Sequence, residues 1–188
     1  MAPLVEELIP CPDVPDALRA LAGHPRPLLF ESAMRRARVG RYSFLCADPY
    51  EVCTIPRVSF GETAFGRVRE LLSTCVGETV AGLPPFQGGA AGLLSYELGH
   101  AWEQLPRAPH DEFQLPDMSI GLYDWVLAWD HDSGQAWVIS QGFPEAEPSR
   151  RKERAASRLS AVKQALRDSN HRPRSLAAAR RLPADRIA

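Results

Sequence analysis

Apolar residues fall along this chain mainly in short extended runs closed by proline or glycine, with fewer stretches at helical spacing. Asp16 to Ala22 reads as a short helix ended by Gly23 and Pro25. Pro27 to Ser32 and Tyr42 to Ala47 follow as apolar strands, and Tyr50 to Ile55 as a third, closed by Pro56. Arg35 to Arg41 makes a basic loop between the first two. Phe65, Val68, Leu71, Leu72 and Val76 keep helical spacing and Gly77 supplies the stop. Leu83 to Tyr96 reads as a buried, glycine-rich strand running into a short helix from about Glu97 to Leu105. After a polar loop from Arg107 to Pro116, Asp117 to Trp129 reads as one strong strand and Gln135 to Ser140 as another. Asp132-Ser133-Gly134 between them makes the pair a hairpin.

Gly142 to Pro148 is a linker. Residues 149–168 then predict an amphipathic helix, with Ser149 as N-cap and Ala155, Leu159, Val162 and Leu166 as one apolar stripe. From Ser169 the apolar pattern stops, and the basic tail 169–188 reads as disordered or non-native sequence. The organisation expected is therefore a unit over 1–148, a helix over 149–168 and a tail.

Charge sharpens that division. Residues 1–149 hold 10 arginines against 20 acidic residues, whereas 150–188 hold 10 arginines and two lysines against Glu153, Asp168 and Asp185. At 188 residues, 45% hydrophobic and 24% charged, the composition excludes a collagen, a wholly disordered chain and a disulfide scaffold. The uncharged run Thr79 to Tyr96 contains four glycines, two prolines and Gln87, which argues against a membrane span. The acidic, proline-bearing N-terminus has no secretory apolar region, so the expected location is cytoplasmic. Cys11, Cys46, Cys53 and Cys75 have no metal-ligand spacing and are expected to be reduced thiols.

Four constellations resemble chemistry and each has a plainer reading. Glu97-x-x-His100-x-x-Glu103 has metal-ligand spacing, but it occurs once, on a short segment, and reads as a solvated helix face. Asp130-His131-Asp132 lies at the hairpin tip, where turns favour Asp. Gly88-Gly89-x-x-Gly92 lacks the Lys-Ser/Thr of a phosphate loop and reads as strand packing. The arginine-rich tail lacks the aromatic interleaving or helix-turn-helix of a nucleic-acid binder, so neither nucleic acid nor membrane is an expected partner.

Leu28-Leu-Phe-Glu-Ser32, Gly40-Arg-Tyr-Ser-Phe-Leu45 with Ala47-Asp-Pro49, Pro85-Phe-Gln-Gly-Gly-Ala-Ala-Gly92 with Tyr96-Glu-Leu-Gly99, and Pro116-Asp-Met-Ser-Ile-Gly-Leu-Tyr-Asp-Trp125 follow one another in order. Together these segments resemble the N-terminal region of the chorismate-utilising enzymes: component I of aminodeoxychorismate synthase and its relative, component I of anthranilate synthase. The Phe-Gln-Gly-Gly and Pro-Asp-Met forms look closer to the aminodeoxychorismate branch.

The resemblance implies an α+β fold, mainly antiparallel sheet with flanking helices, forming the N-terminal part of the two-layer anthranilate synthase component I-like body. It implies the conversion of chorismate and ammonia to 4-amino-4-deoxychorismate on the way to p-aminobenzoate and folate. A glutamine amidotransferase subunit is then the expected partner and Mg²⁺ the expected cofactor of the full-length enzyme. The family's catalytic and metal-binding residues belong to a later, chorismate-binding half, so the chain itself is expected to supply no catalytic residue, metal ligand or cofactor site. A truncated or shifted reading frame would account for that and for the basic tail. Such an isolated part would expose an apolar sheet face. By resemblance, Glu31, Ser32, Gly40, Arg41 and Tyr42 mark a pocket for L-tryptophan. Two alternatives stay open, the N-terminal region of an anthranilate synthase component I and a stand-alone tryptophan-binding regulatory module.

Overall fold

A computed structural model of the chain describes residues 1–34, 39–106 and 111–170. The basic segment 35–38, part of the polar loop at 107–110 and the tail from 171 onward lie outside the described residues.

The described chain builds two antiparallel sheets and three α-helices. The strands are β1 (Leu4–Glu7), β2 (Leu28–Phe30), β3 (Tyr42–Cys46), β4 (Glu51–Ile55), β5 (Gly89–Leu94), β6 (Met118–Tyr123), β7 (Trp125–Asp130) and β8 (Gln135–Ser140). The helices are α1 (Val14–Leu21), α2 (Gly66–Thr74) and α3 (Pro148–Asn170), and a 3₁₀ turn spans Tyr96–Ala101. The five-stranded sheet has the order β1-β8-β7-β3-β2 and the three-stranded sheet β4-β6-β5. This is the α+β architecture expected. Among the described residues no helix is long and apolar enough to cross a membrane.

Alternation along the strands decides the layers. On one face of the larger sheet Leu45, Leu127, Trp129, Ala136 and Val138 pack with Val14, Ala17 and Leu21 of α1 and Val162 of α3. On its other face Cys46, Val126, Ala128 and Ile139 form a second core with Ala91 and Tyr123. The smaller sheet packs Cys53, Met118, Ile120 and Leu122 against Val68 of α2 and Leu98 of the 3₁₀ turn. The hairpin of β7 and β8 and the stripe of α3 fall where the apolar pattern placed them, with Ala155 and Val162 fully packed.

The structure corrects four local readings and adds one strand. The run Asp117 to Trp129 is two strands in different sheets, divided at Asp124, whose carbonyl accepts from Gln141 N at 2.7 Å. The strand expected from Leu83 begins only at Gly89, after Pro84 and Pro85, which lack the N–H a strand ladder needs. The helix expected over 97–105 is the shorter 3₁₀ turn. His100 on it is buried, not solvated: Nδ1 lies 2.8 Å from Glu97 O and Nε2 3.0 Å from Leu105 O. Helix α3 is capped by Glu147 rather than Ser149, since the Glu147 carboxylate accepts from the backbone N of Ser149 (3.0 Å) and Arg150 (2.9 Å). A bond from the Ser149 hydroxyl, together with those two, holds its carboxyl below the usual range. Finally, Leu4–Glu7 is an edge strand paired with β8, which the flanking prolines concealed.

Asp124 joins the two sheets to α3. Its side chain is fully buried between Arg154 Nε, 2.9 Å from Oδ2, and Arg158 Nε, 3.3 Å from Oδ1. Arg158 also pairs with Asp48, donating to its carbonyl oxygen at 3.2 Å. Burial outweighs the two cations, and the Asp124 carboxyl sits above its ordinary value.

Candidate functional site

Strands β2 and β3 pair with Phe30 opposite Phe44 and Leu28 opposite Cys46, which puts the side chains of Phe30, Tyr42 and Phe44 on one face. Glu31 and Ser32 leave the end of β2, and Gly40 and Arg41 enter the start of β3. Gly40 has φ of 71°, and a Cβ there would lie 2.1 Å from Met34 O and 3.2 Å from the Ser32 Cβ. Only glycine lets the two chain segments pass so closely.

The result is an open cleft of about 520 Å³ bounded by Phe30, Glu31, Ser32, Gly40, Arg41, Tyr42 and Phe44. All five residues marked by the resemblance are brought together there, with two phenylalanines added. Tyr42 and Phe44 lie 6.1 Å apart between ring centroids, and Phe86 meets Phe44 edge-on at 5.8 Å. The Ser32 hydroxyl donates to Met34 O at 3.2 Å and accepts from Met34 N at 3.3 Å, closing the turn at the polar end.

Arg41 does more than begin a strand. Its Nε and Nη2 donate to Asp130 Oδ1 (3.0 Å) and Oδ2 (2.7 Å), and its guanidinium carbon lies 4.9 Å from the centre of the Tyr42 ring. Asp130 was expected at a solvated hairpin tip. It is instead nearly buried, and Arg41 holds its carboxyl below the usual range. The register Tyr42 to Asp130 explains the pairing, but it depends on β3 lying beside β7, a neighbour relation no local pattern reveals. Asp132 stays exposed, 3.5 Å from Arg41 Nε. His131 places Nε2 2.8 Å from the Ser43 hydroxyl. Chemically the cleft offers aromatic walls and, at its ends, a hydroxyl and a partly neutralised cation.

Among the described residues no cluster of three or more His, Cys, Asp or Glu side chains is placed to hold a metal ion. At Gly92 a Cβ would lie 2.1 Å from Ser119 O, so this glycine serves close strand contact. The four cysteines are free thiols, and burial pushes Cys46 up to about 12.

Comparison with known proteins places these features in context. The family described as chorismate binding enzyme matches residues 33–185. Component 1 of aminodeoxychorismate synthase from Escherichia coli is 29% identical over 152 residues, covering 65% of this chain and 33% of that protein. The Salmonella typhimurium protein of the same name is 43% identical over 79 residues, 35% of this chain and 17% of that one. Component 1 of anthranilate synthase from Arthrobacter globiformis is 28% identical over 133 residues, covering 64% and 25%. The chain thus spans about a third or less of the length of these relatives. The crystal structure of anthranilate synthase component I from Streptococcus pneumoniae shares the fold, with a TM-score of 0.51 at 20% identity over 76% of this chain and 32% of that one.

Proposed function

This chain belongs to the chorismate binding enzyme family, and from that premise we propose that it is the N-terminal part of an aminodeoxychorismate synthase component I. In this reading the whole enzyme replaces the C4 hydroxyl of chorismate with ammonia, releasing water and 4-amino-4-deoxychorismate for p-aminobenzoate and folate synthesis. The aminodeoxychorismate branch is favoured by the Phe-Gln-Gly-Gly and Pro-Asp-Met segments and by the 43% identity over 79 residues to the Salmonella protein. The family's Mg²⁺, when bound, supplies charge stabilisation for chorismate. The relatives' designation as component 1 supports a second component, read as a glutamine amidotransferase that delivers the ammonia.

The role assigned to these residues themselves is to hold L-tryptophan. One observation carries it: Glu31, Ser32, Gly40, Arg41 and Tyr42 line a single cleft with Phe30 and Phe44. The indole would lie against the aromatic walls. The amino-acid head would meet the Ser32 hydroxyl at the polar end of the cleft. Arg41 acts by position, because two of its nitrogens are committed to Asp130. An anthranilate synthase component I is the second reading, favoured by the relative from Arthrobacter.

The chemical half of the proposal is tested by giving the purified chain chorismate, Mg²⁺ and ammonium, with aminodeoxychorismate lyase as coupling enzyme. No p-aminobenzoate is expected from these 188 residues alone. Product would place the chemistry within them and overturn the assignment.

A further inference from the structure

The three-stranded sheet has two unlike faces. Cys53, Met118, Ile120 and Leu122 point into the core beneath α2. On the opposite face the register sets Thr54 beside Ser119 and Gly121 beside Ala91. Small side chains there leave a cleft of about 460 Å³, within the range of small-molecule sites. It shares no lining residue with the Phe30 cleft.

Polar groups gather at one end. Arg26 reaches across and donates from Nη1 to the Ser119 hydroxyl at 3.2 Å, with the Thr54 hydroxyl on the next strand. Arg26 forms no ion pair among the described residues. A guanidinium carries five N–H donors, so most of its capacity faces the cleft and solvent. Its placement is not casual. Arg26 is a non-glycine residue at φ of 46°, a left-handed conformation that needs support. The support comes from a distant residue, as the Tyr123 hydroxyl donates to Arg26 O at 2.9 Å. Away from this end, Leu28, Leu93 and Leu115 form hydrocarbon walls, and both Leu93 and Leu115 are exposed. At Gly121 a Cβ would come within 2.7 Å of the Tyr123 ring, so glycine there lets that ring lie across the sheet as part of the cleft lining.

We infer that this cleft is a binding site for a small monocarboxylate with an apolar body. The carboxylate would take a forked pair of bonds from Arg26, with the Thr54 and Ser119 hydroxyls beside it. The body would cover the leucines and the Tyr123 ring. A bare inorganic anion would use only the Arg26 end, and a neutral apolar molecule only the walls.

The test is an amide NMR titration of the full chain with sodium benzoate, set against benzamide, its uncharged counterpart. Benzoate should saturate shifts at Ala91, Gly92, Gly121 and the Arg26 Nε–H, and bind about tenfold more tightly than benzamide. Arg26→Asn removes the cation but suits the left-handed backbone, and should bring benzoate down to the benzamide level. Arg26→Lys should recover part of the loss. Equal affinity for benzoate and benzamide, unchanged benzoate binding in Arg26→Asn, or shifts confined to the Phe30 cleft would each overturn the inference. The benzoate–benzamide comparison needs no variant and does not depend on tryptophan binding.

Discussion

Replacing Asp124 with alanine should be among the more damaging single changes outside the apolar core. The carboxylate is fully buried, and two guanidiniums lie within 2.9 and 3.3 Å of it. Removing one partner of a buried ion pair costs about 3–5 kcal/mol when the remaining charge is sealed from water. Here the arginines are not sealed: the Arg154 and Arg158 side chains keep 28% and 21% exposure, and Arg158 retains Asp48. The cost should therefore fall to about 2–3 kcal/mol, or about 6–10 °C in melting temperature for a chain of this size. Asparagine should behave differently. It keeps an acceptor for the arginines and relieves the burial of charge that raises the Asp124 carboxyl, so its cost should be about 1 kcal/mol. The pH dependence follows in sign. Because the folded-state pKa is raised, the contribution of this group is fully present below the unfolded value and is lost as pH rises through the folded value. Asp124→Asn should accordingly compare better with the parent at neutral pH than in acid. Urea unfolding followed by tryptophan fluorescence reads all three. An alanine variant within about 0.5 kcal/mol of the parent, or an asparagine variant as costly as alanine, would refute the reasoning.

Two further outcomes follow from close contacts. Gly92→Ala puts a Cβ 2.1 Å from Ser119 O, so β5 and β6 must part by about 1 Å, at a cost of about 2 kcal/mol; hydrogen exchange should rise along β5 first. Asp130 is held below its ordinary value by Arg41, so its contribution is present above the unfolded carboxyl pKa and is lost as pH falls through the folded one. Asp130→Asn should flatten the acid limb of the stability profile, measured by thermal melts below about pH 5.

Local chemistry made much of this molecule legible in the sequence. The hairpin of β7 and β8 could be read from alternation on either side of Asp132-Ser133-Gly134, and α3 from its stripe. All five residues of the Phe30 cleft that the resemblance marked lie together in the structure. What stayed hidden depends on contacts between distant segments. The division at Asp124 leaves no trace in hydropathy, because β6 and β7 are both almost wholly buried and read as one run. Asp130 looks like any turn residue until β3 is set beside β7 and brings Arg41 to it. His100 resembled an exposed ligand on a helix, whereas the tighter 3₁₀ turn folds its ring back onto two carbonyl oxygens.

The claim on which the account turns is that the Phe30 cleft holds an aromatic amino acid, and calorimetric titration of the full chain with L-tryptophan tests it most directly. The expected result is saturable binding of one molecule per chain. Ser32→Ala should weaken it about tenfold, as the loss of one charge-assisted hydrogen bond would, and Arg41→Ala and Phe44→Ala should reduce it strongly. Absence of binding heat, or affinity unchanged in all three variants, would contradict the account.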